Sequence, residues 1–156
     1  MGNERARRSP DKLSKAKGRT GHTFVRLNHN MLRSPQFRAL SGTAVKVLLF
    51  LMDQYNGNNN GDLSATETMV EGAGLCSGGA AAKALKELRE AGFILLTRTG
   101  HRRRCALYAA TWHEIHECPG KCLEVAPTLV PSHLWMAKSV PQKEGLCTPG
   151  KGVKSR

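Results

Sequence analysis

Aromatic side chains are scarce in this chain, and long apolar runs are absent. Only eight of 156 residues are Phe, Tyr or Trp, and all lie between Phe24 and Trp135. The longest unbroken apolar run, Val47 to Met52, has six residues, whereas a membrane-crossing helix needs about 20. The first twenty residues are basic and lack an apolar segment, so no secretory signal is expected. Ala6 stands where a myristoylation motif needs Ser or Thr. The five cysteines are odd in number and irregularly spaced, which points to a reduced, cytoplasmic compartment rather than a disulfide framework. No Gly-x-x-x-x-Gly-Lys-Ser/Thr loop is present, and no nucleophile, base and acid share a recognisable arrangement. Asp53, Asp62, Glu67 and Glu71 read as helix-end or capping acids, and Cys76 as a structural thiol. Neither an enzyme nor a bound cofactor is expected.

Acidic residues are also in short supply, 12 against 24 Lys and Arg, so the formal net charge is +12. Such an excess suits an acidic polymer, most often nucleic acid. It is unevenly placed. Residues 1–22 hold seven basic and two acidic side chains and residues 136–156 hold five and one, leaving the span 23–135 with twelve and nine. The two ends lack aromatics and are rich in Lys, Gly, Ser or Pro, so both read as disordered basic arms. The folded unit is expected over 23–135. Because most of the excess charge lies outside it, DNA binding by the fold needs a local feature.

Phe24 to Leu27 could form a short strand. Ser34-Pro35 has the form of an N-cap and first helical proline, starting a short helix to Leu40. Ser41 then caps a helix to about Tyr55, with Ala44, Val45, Leu48, Leu51, Met52 and Tyr55 at helical spacing. Val47, Leu49 and Phe50 widen its apolar stripe almost all round, as in a central buried helix. Asn56 to Asp62 is a long turn signal. Ser64-Ala65-Thr66-Glu67 matches a capping box for a short helix to Gly72. Ser77 caps a further helix to Ala91, which Gly92 ends. Phe93–Thr99 and Cys105–Trp112 have strand composition around a turn.

Helix, turn, short helix, tight turn, longer helix and hairpin form the order of a winged helix-turn-helix, mainly α with a β-hairpin wing. In that fold the helix from Ser77 enters the major groove and the hairpin tip lies over the backbone or minor groove. The tip carries Arg98, His101, Arg102, Arg103 and Arg104. Four arginines at a turn have no evident folding purpose, and phosphate neutralisation accounts for them better than a solvated loop does. The candidate DNA contacts are therefore these five residues with Ser77, Gly78, Gly79, Lys83 and Lys86 of the helix. Base readout by the helix looks thin, because Gly and Ala can offer only close approach or contact with thymine methyls.

The chain resembles uncharacterised helix-turn-helix proteins of phages, prophages and plasmids of proteobacteria, related to the DNA-binding domains of phage replication proteins. The resemblance rests on Phe24-Val25-Arg26-Leu27, Phe37-Arg38-Ala39-Leu40-Ser41 and Asn59-Asn60-Gly61-Asp62-Leu63. It continues through Leu88-Arg89-Glu90-Ala91-Gly92-Phe93-Ile94, Leu107-Tyr108-Ala109, Thr111-Trp112 and Val125-Ala126-Pro127-Thr128. It implies a winged-helix binder of double-stranded DNA from a mobile element, nucleoid-associated in a bacterial cytoplasm. A transcriptional regulator is the leading expectation. A replication accessory or origin-binding protein, and a protein–protein adaptor that keeps the fold, are the alternatives. A homodimer or a replication or transcription protein would be the further partner. The sequence departs from the family at Ser77-Gly78-Gly79-Ala80-Ala81-Ala82-Lys83, where such proteins carry more polar residues.

His113, His116, Cys118 and Cys122 have dense but nonstandard metal-ligand spacing. If 113–116 continued the strand, His113 would face away from His116 and Cys118, so no metal is expected. Trp112 reads as a packing residue, and Trp135 is expected to dock the end of the domain.

Overall fold

Ser and Thr hydroxyls start four of the six helices among residues 24–137, the span described by the computed structural model. The expected arms fall outside the described residues, except that Met136 and Ala137 complete the last helix. Helix α1 spans His29–Arg33 behind an Asn28 cap, and α2 spans Pro35–Arg38 behind Ser34. The Ser34 hydroxyl joins the two, accepting from the Phe37 N–H at 3.1 Å and donating to the Met31 carbonyl at 2.6 Å. Helix α3, Gly42–Asp53, follows Ser41, α4 covers Glu67–Gly72, and α5 runs Gly78–Glu90 behind Ser77. Each cap satisfies a first-turn N–H that has no partner within its own helix.

Strands β1 (Ile94–Arg98) and β2 (Leu107–Ala110) pair antiparallel, with a register shift between Leu96 and Arg98. Leu63 adds an isolated bridge to the outer side of β2, exchanging hydrogen bonds with Tyr108 at 3.2 and 2.8 Å. Helix α6, Leu134–Ala137, closes the described chain. Helix α3 packs against α5, and α5 against α4 and β1. Their shared core holds Val47, Leu48 and Leu51 of α3, Leu88 of α5, and Phe93 between α5 and β1. Trp135 stacks on Phe93 with centroids 6.2 Å apart, docking the end of the described residues. That docking fixes Gly92: it lies at φ +81°, and a Cβ there would stand 2.8 Å from the Leu134 carbonyl carbon. Among the described residues no helix is long and apolar enough to cross a membrane.

Several expectations are corrected. Residues 24–27 form no strand, because they have no partner ladder; Phe24 and Val25 are exposed, and the Arg26 guanidinium lies 5.3 Å over the Phe24 ring. Helix α1 follows where none was expected. The cap of α4 is Thr66 rather than Ser64. The Ser64 backbone is held instead by the Gln54 side-chain amide, which accepts from its N–H at 3.0 Å and donates to its carbonyl at 2.8 Å. Leu49 of α3 is exposed, so that helix is not buried all round.

Candidate functional site

The hairpin between β1 and β2 ends in a two-residue turn. His101 and Arg104 close it through paired backbone bonds of 2.8 and 3.0 Å, which leaves Arg102 and Arg103 at its head. His101, Arg102, Arg103 and Arg104 are all exposed, and none of the three arginines has an acidic partner among the described residues. Arg98 has another role. Its guanidinium donates to the Cys105 carbonyl at 2.9 Å and the Lys121 carbonyl at 2.6 Å, bracing the base of the hairpin. The bracing continues on the next residue. Glu124 accepts from the Thr99 N–H at 3.0 Å and from its hydroxyl at 2.9 Å. Those two bonds, with His101 and Arg98 nearby, hold the Glu124 carboxyl below the usual carboxylate range. The acid at the hairpin base is thus committed to Thr99, and the head is left cationic.

Helix α5 presents a different face. Ala81, Ala84, Leu85 and Leu88 are buried, so Gly79, Ala82, Lys83, Lys86 and Glu90 make its outward stripe, with Arg89 exposed beside it in the last turn. Lys86 pairs with Glu90 at 3.8 Å, an exposed i,i+4 contact. Ser77 spends its side chain on the Ala80 N–H. The Gly78 N–H donates to the Glu71 carboxylate at 2.8 Å. The Glu67 side chain also lies against Gly78, in the space a Cβ there would occupy. Two carboxylates from α4 therefore close the N-terminal end of α5. The sequence marked both as capping acids but did not show that they serve the following helix, because the α4–α5 angle brings them there.

The C-terminal segment completes the platform beneath the hairpin. Lys121 pairs with Asp62 at 3.0 Å while its carbonyl receives Arg98. Asn60, fully buried, is the hub of this region: its side-chain amide donates to the carbonyls of Ala110 and Glu114 and accepts from the Ala110 N–H. The Asn60 N–H donates to His116 Nδ1 at 3.2 Å. Residues 113–116 are not a strand, so the alternation argument for His113 and His116 fails. Both rings lie against Tyr55, with centroids at 4.5 and 6.3 Å. Burial, and His116 beside it, push the His113 imidazole below its ordinary pKa. Among the described residues no group of three or more His, Cys, Asp or Glu side chains gathers to hold a metal ion.

The ten candidate residues thus divide into an exposed cationic turn, a brace at Arg98, and a helix face on which Lys86 pairs with Glu90. Comparison with protein-family models, with curated proteins and with solved structures found no match to this chain.

Proposed function

We propose that this chain is a winged helix-turn-helix protein that binds double-stranded DNA, without enzymatic activity, as a transcriptional regulator of a mobile genetic element. The observation that carries the reading is the exposed turn Arg102-Arg103-Arg104, braced from below and without acidic partners among the described residues. Guanidinium groups held at a projecting hairpin suit phosphate contact. The order α3, Leu63 bridge, α4, α5, β1, β2, with the bridge on the far side of β2 from β1, supports the winged-helix reading. The attribution to a phage or plasmid rests on the sequence resemblance.

The test is titration of mixed duplex DNA at several salt concentrations. Arg102→Ala, Arg103→Ala, Arg104→Ala in one chain frees up to three phosphates, and the log–log salt slope should flatten by about 0.9 for each phosphate no longer neutralised. Lys83→Ala should weaken binding less. Unchanged affinity and slope in the triple variant would remove the turn as a DNA contact.

One observation favours a second reading, the protein–protein adaptor. Glu67 and Glu71 put negative charge at the end of α5 that a major-groove reader turns toward bases and phosphates. Failure of the unmodified chain to bind duplex DNA at low salt would select that reading.

A further inference from the structure

Affinity for a duplex and discrimination between sequences are separable, and the two candidate surfaces are unequally equipped for the second. The outward stripe of α5 offers a hydrogen atom at Gly79, a methyl at Ala82 and two lysines, one of them paired with Glu90. Base-edge recognition in the major groove relies chiefly on planar, bidentate side chains near the start of the helix, and the planar groups exposed on α5, Glu90 paired with Lys86 and Arg89 beside Tyr108, stand in its last turn. The Glu67 and Glu71 carboxylates at its leading end also face the wrong way electrostatically for guanine N7 and O6, which are acceptors. The hairpin head is the reverse case. Only two residues span it, both arginine, exposed and without an acidic partner among the described residues. A hairpin head is about 5.5 Å across between paired Cα atoms, and a B-form minor groove is about 6 Å wide, so the side chains can enter while the backbone stays at the phosphate rim. A narrow A·T minor groove concentrates negative potential, and the weakly hydrated guanidinium is the side chain best suited to enter it.

We infer that this chain selects DNA by the width and potential of the minor groove, through Arg102 and Arg103, and prefers A·T-rich narrow-groove duplexes, while α5 contributes no base discrimination. This rests on the duplex-binding reading above and assigns its specificity to one surface.

Inosine separates the grooves. It lacks the guanine N2 amino group, so an I·C pair looks like A·T in the minor groove and like G·C in the major groove. Three duplexes with common flanks and an A·T, G·C or I·C core would be titrated by fluorescence anisotropy at fixed salt. The A·T and I·C cores should bind alike, and both about tenfold more tightly than the G·C core. The double variant Arg102→Lys, Arg103→Lys keeps the charge; it should keep the salt slope and lose the preference. An I·C core that behaves like G·C, three equal affinities, or a preference that survives in the lysine variant would each overturn the assignment while duplex binding itself stood. Absence of binding to all three cores at low salt would instead refute the duplex-binding reading, and this inference with it.

Discussion

Asn60 shows how much one side chain can join. It lies in the loop after α3, yet its amide serves Ala110 and Glu114, fifty and fifty-four positions later. Asn60→Ala would strip partners from the buried Ala110 N–H and from the carbonyls of His113 and Glu114, while the Ala110 carbonyl keeps the His113 N–H. At about 1–3 kcal/mol for each buried group left unsatisfied, a loss of at least about 3 kcal/mol in urea unfolding is expected. Asn60→Asp keeps the shape but replaces the donor with an oxygen facing those carbonyls, and it should cost as much; native-like stability would show that volume, not hydrogen bonding, is what matters. His113 gives a pH prediction. Its folded pKa lies below the ordinary 6.5, chiefly through burial, and its Nε2 is buried without a partner. The unfolded chain therefore takes up the proton first, so the stabilising contribution is complete above about pH 6.5 and declines as the pH falls below it. His113→Phe can keep the stack on Tyr55, and the acid-side slope of its melting temperature should be shallower. An identical slope would place the titrating group elsewhere.

At the level of elements, legibility followed range. Ser34, Ser41 and Ser77 could be assigned as caps because a hydroxyl bonds an N–H three residues on, a contact contained in the local sequence. The α4 cap moved to Thr66 because Gln54, ten positions back, holds the Ser64 backbone. Residues 24–27 had strand composition but no ladder, and composition cannot supply the partner strand. The arginines at the hairpin head were legible as a charge cluster. The withdrawal of Arg98 into a brace, and the approach of Glu67 and Glu71 to α5, were not, since both depend on tertiary placement. Gly92 was expected only as a helix stop; its second duty is to admit α6. Gly92→Ala combines a disfavoured backbone conformation with overlap on Leu134, so a loss of about 1–3 kcal/mol is expected. Tryptophan emission should shift to the red as Trp135 leaves Phe93. A destabilised variant with unshifted emission would show that α6 stays docked and that the cost is local to the turn.

Across the whole molecule, charge is segregated. The hairpin head carries Arg102, Arg103 and Arg104, while the α4–α5 junction carries Glu67 and Glu71. A duplex lying across both meets attraction at one end and repulsion at the other. Glu67→Gln, Glu71→Gln keeps an oxygen at position 71 for the Gly78 N–H and removes two negative charges. Duplex affinity at low salt should rise, with little change in melting temperature. An unchanged affinity would place the junction away from the duplex. Another property of the whole molecule follows from Asn60 and Trp135. The Asn60 side chain in the loop after α3 finds its partners at residues 110–114, and one face of the Phe93 ring, which Phe37 meets edge-on, is covered by Trp135. A nascent chain that has extruded every residue through β1 still holds an amide and an aromatic face waiting for sequence not yet made. Closure of this region therefore waits until residue 135 has emerged, and until then the amide and that ring face are open to solvent.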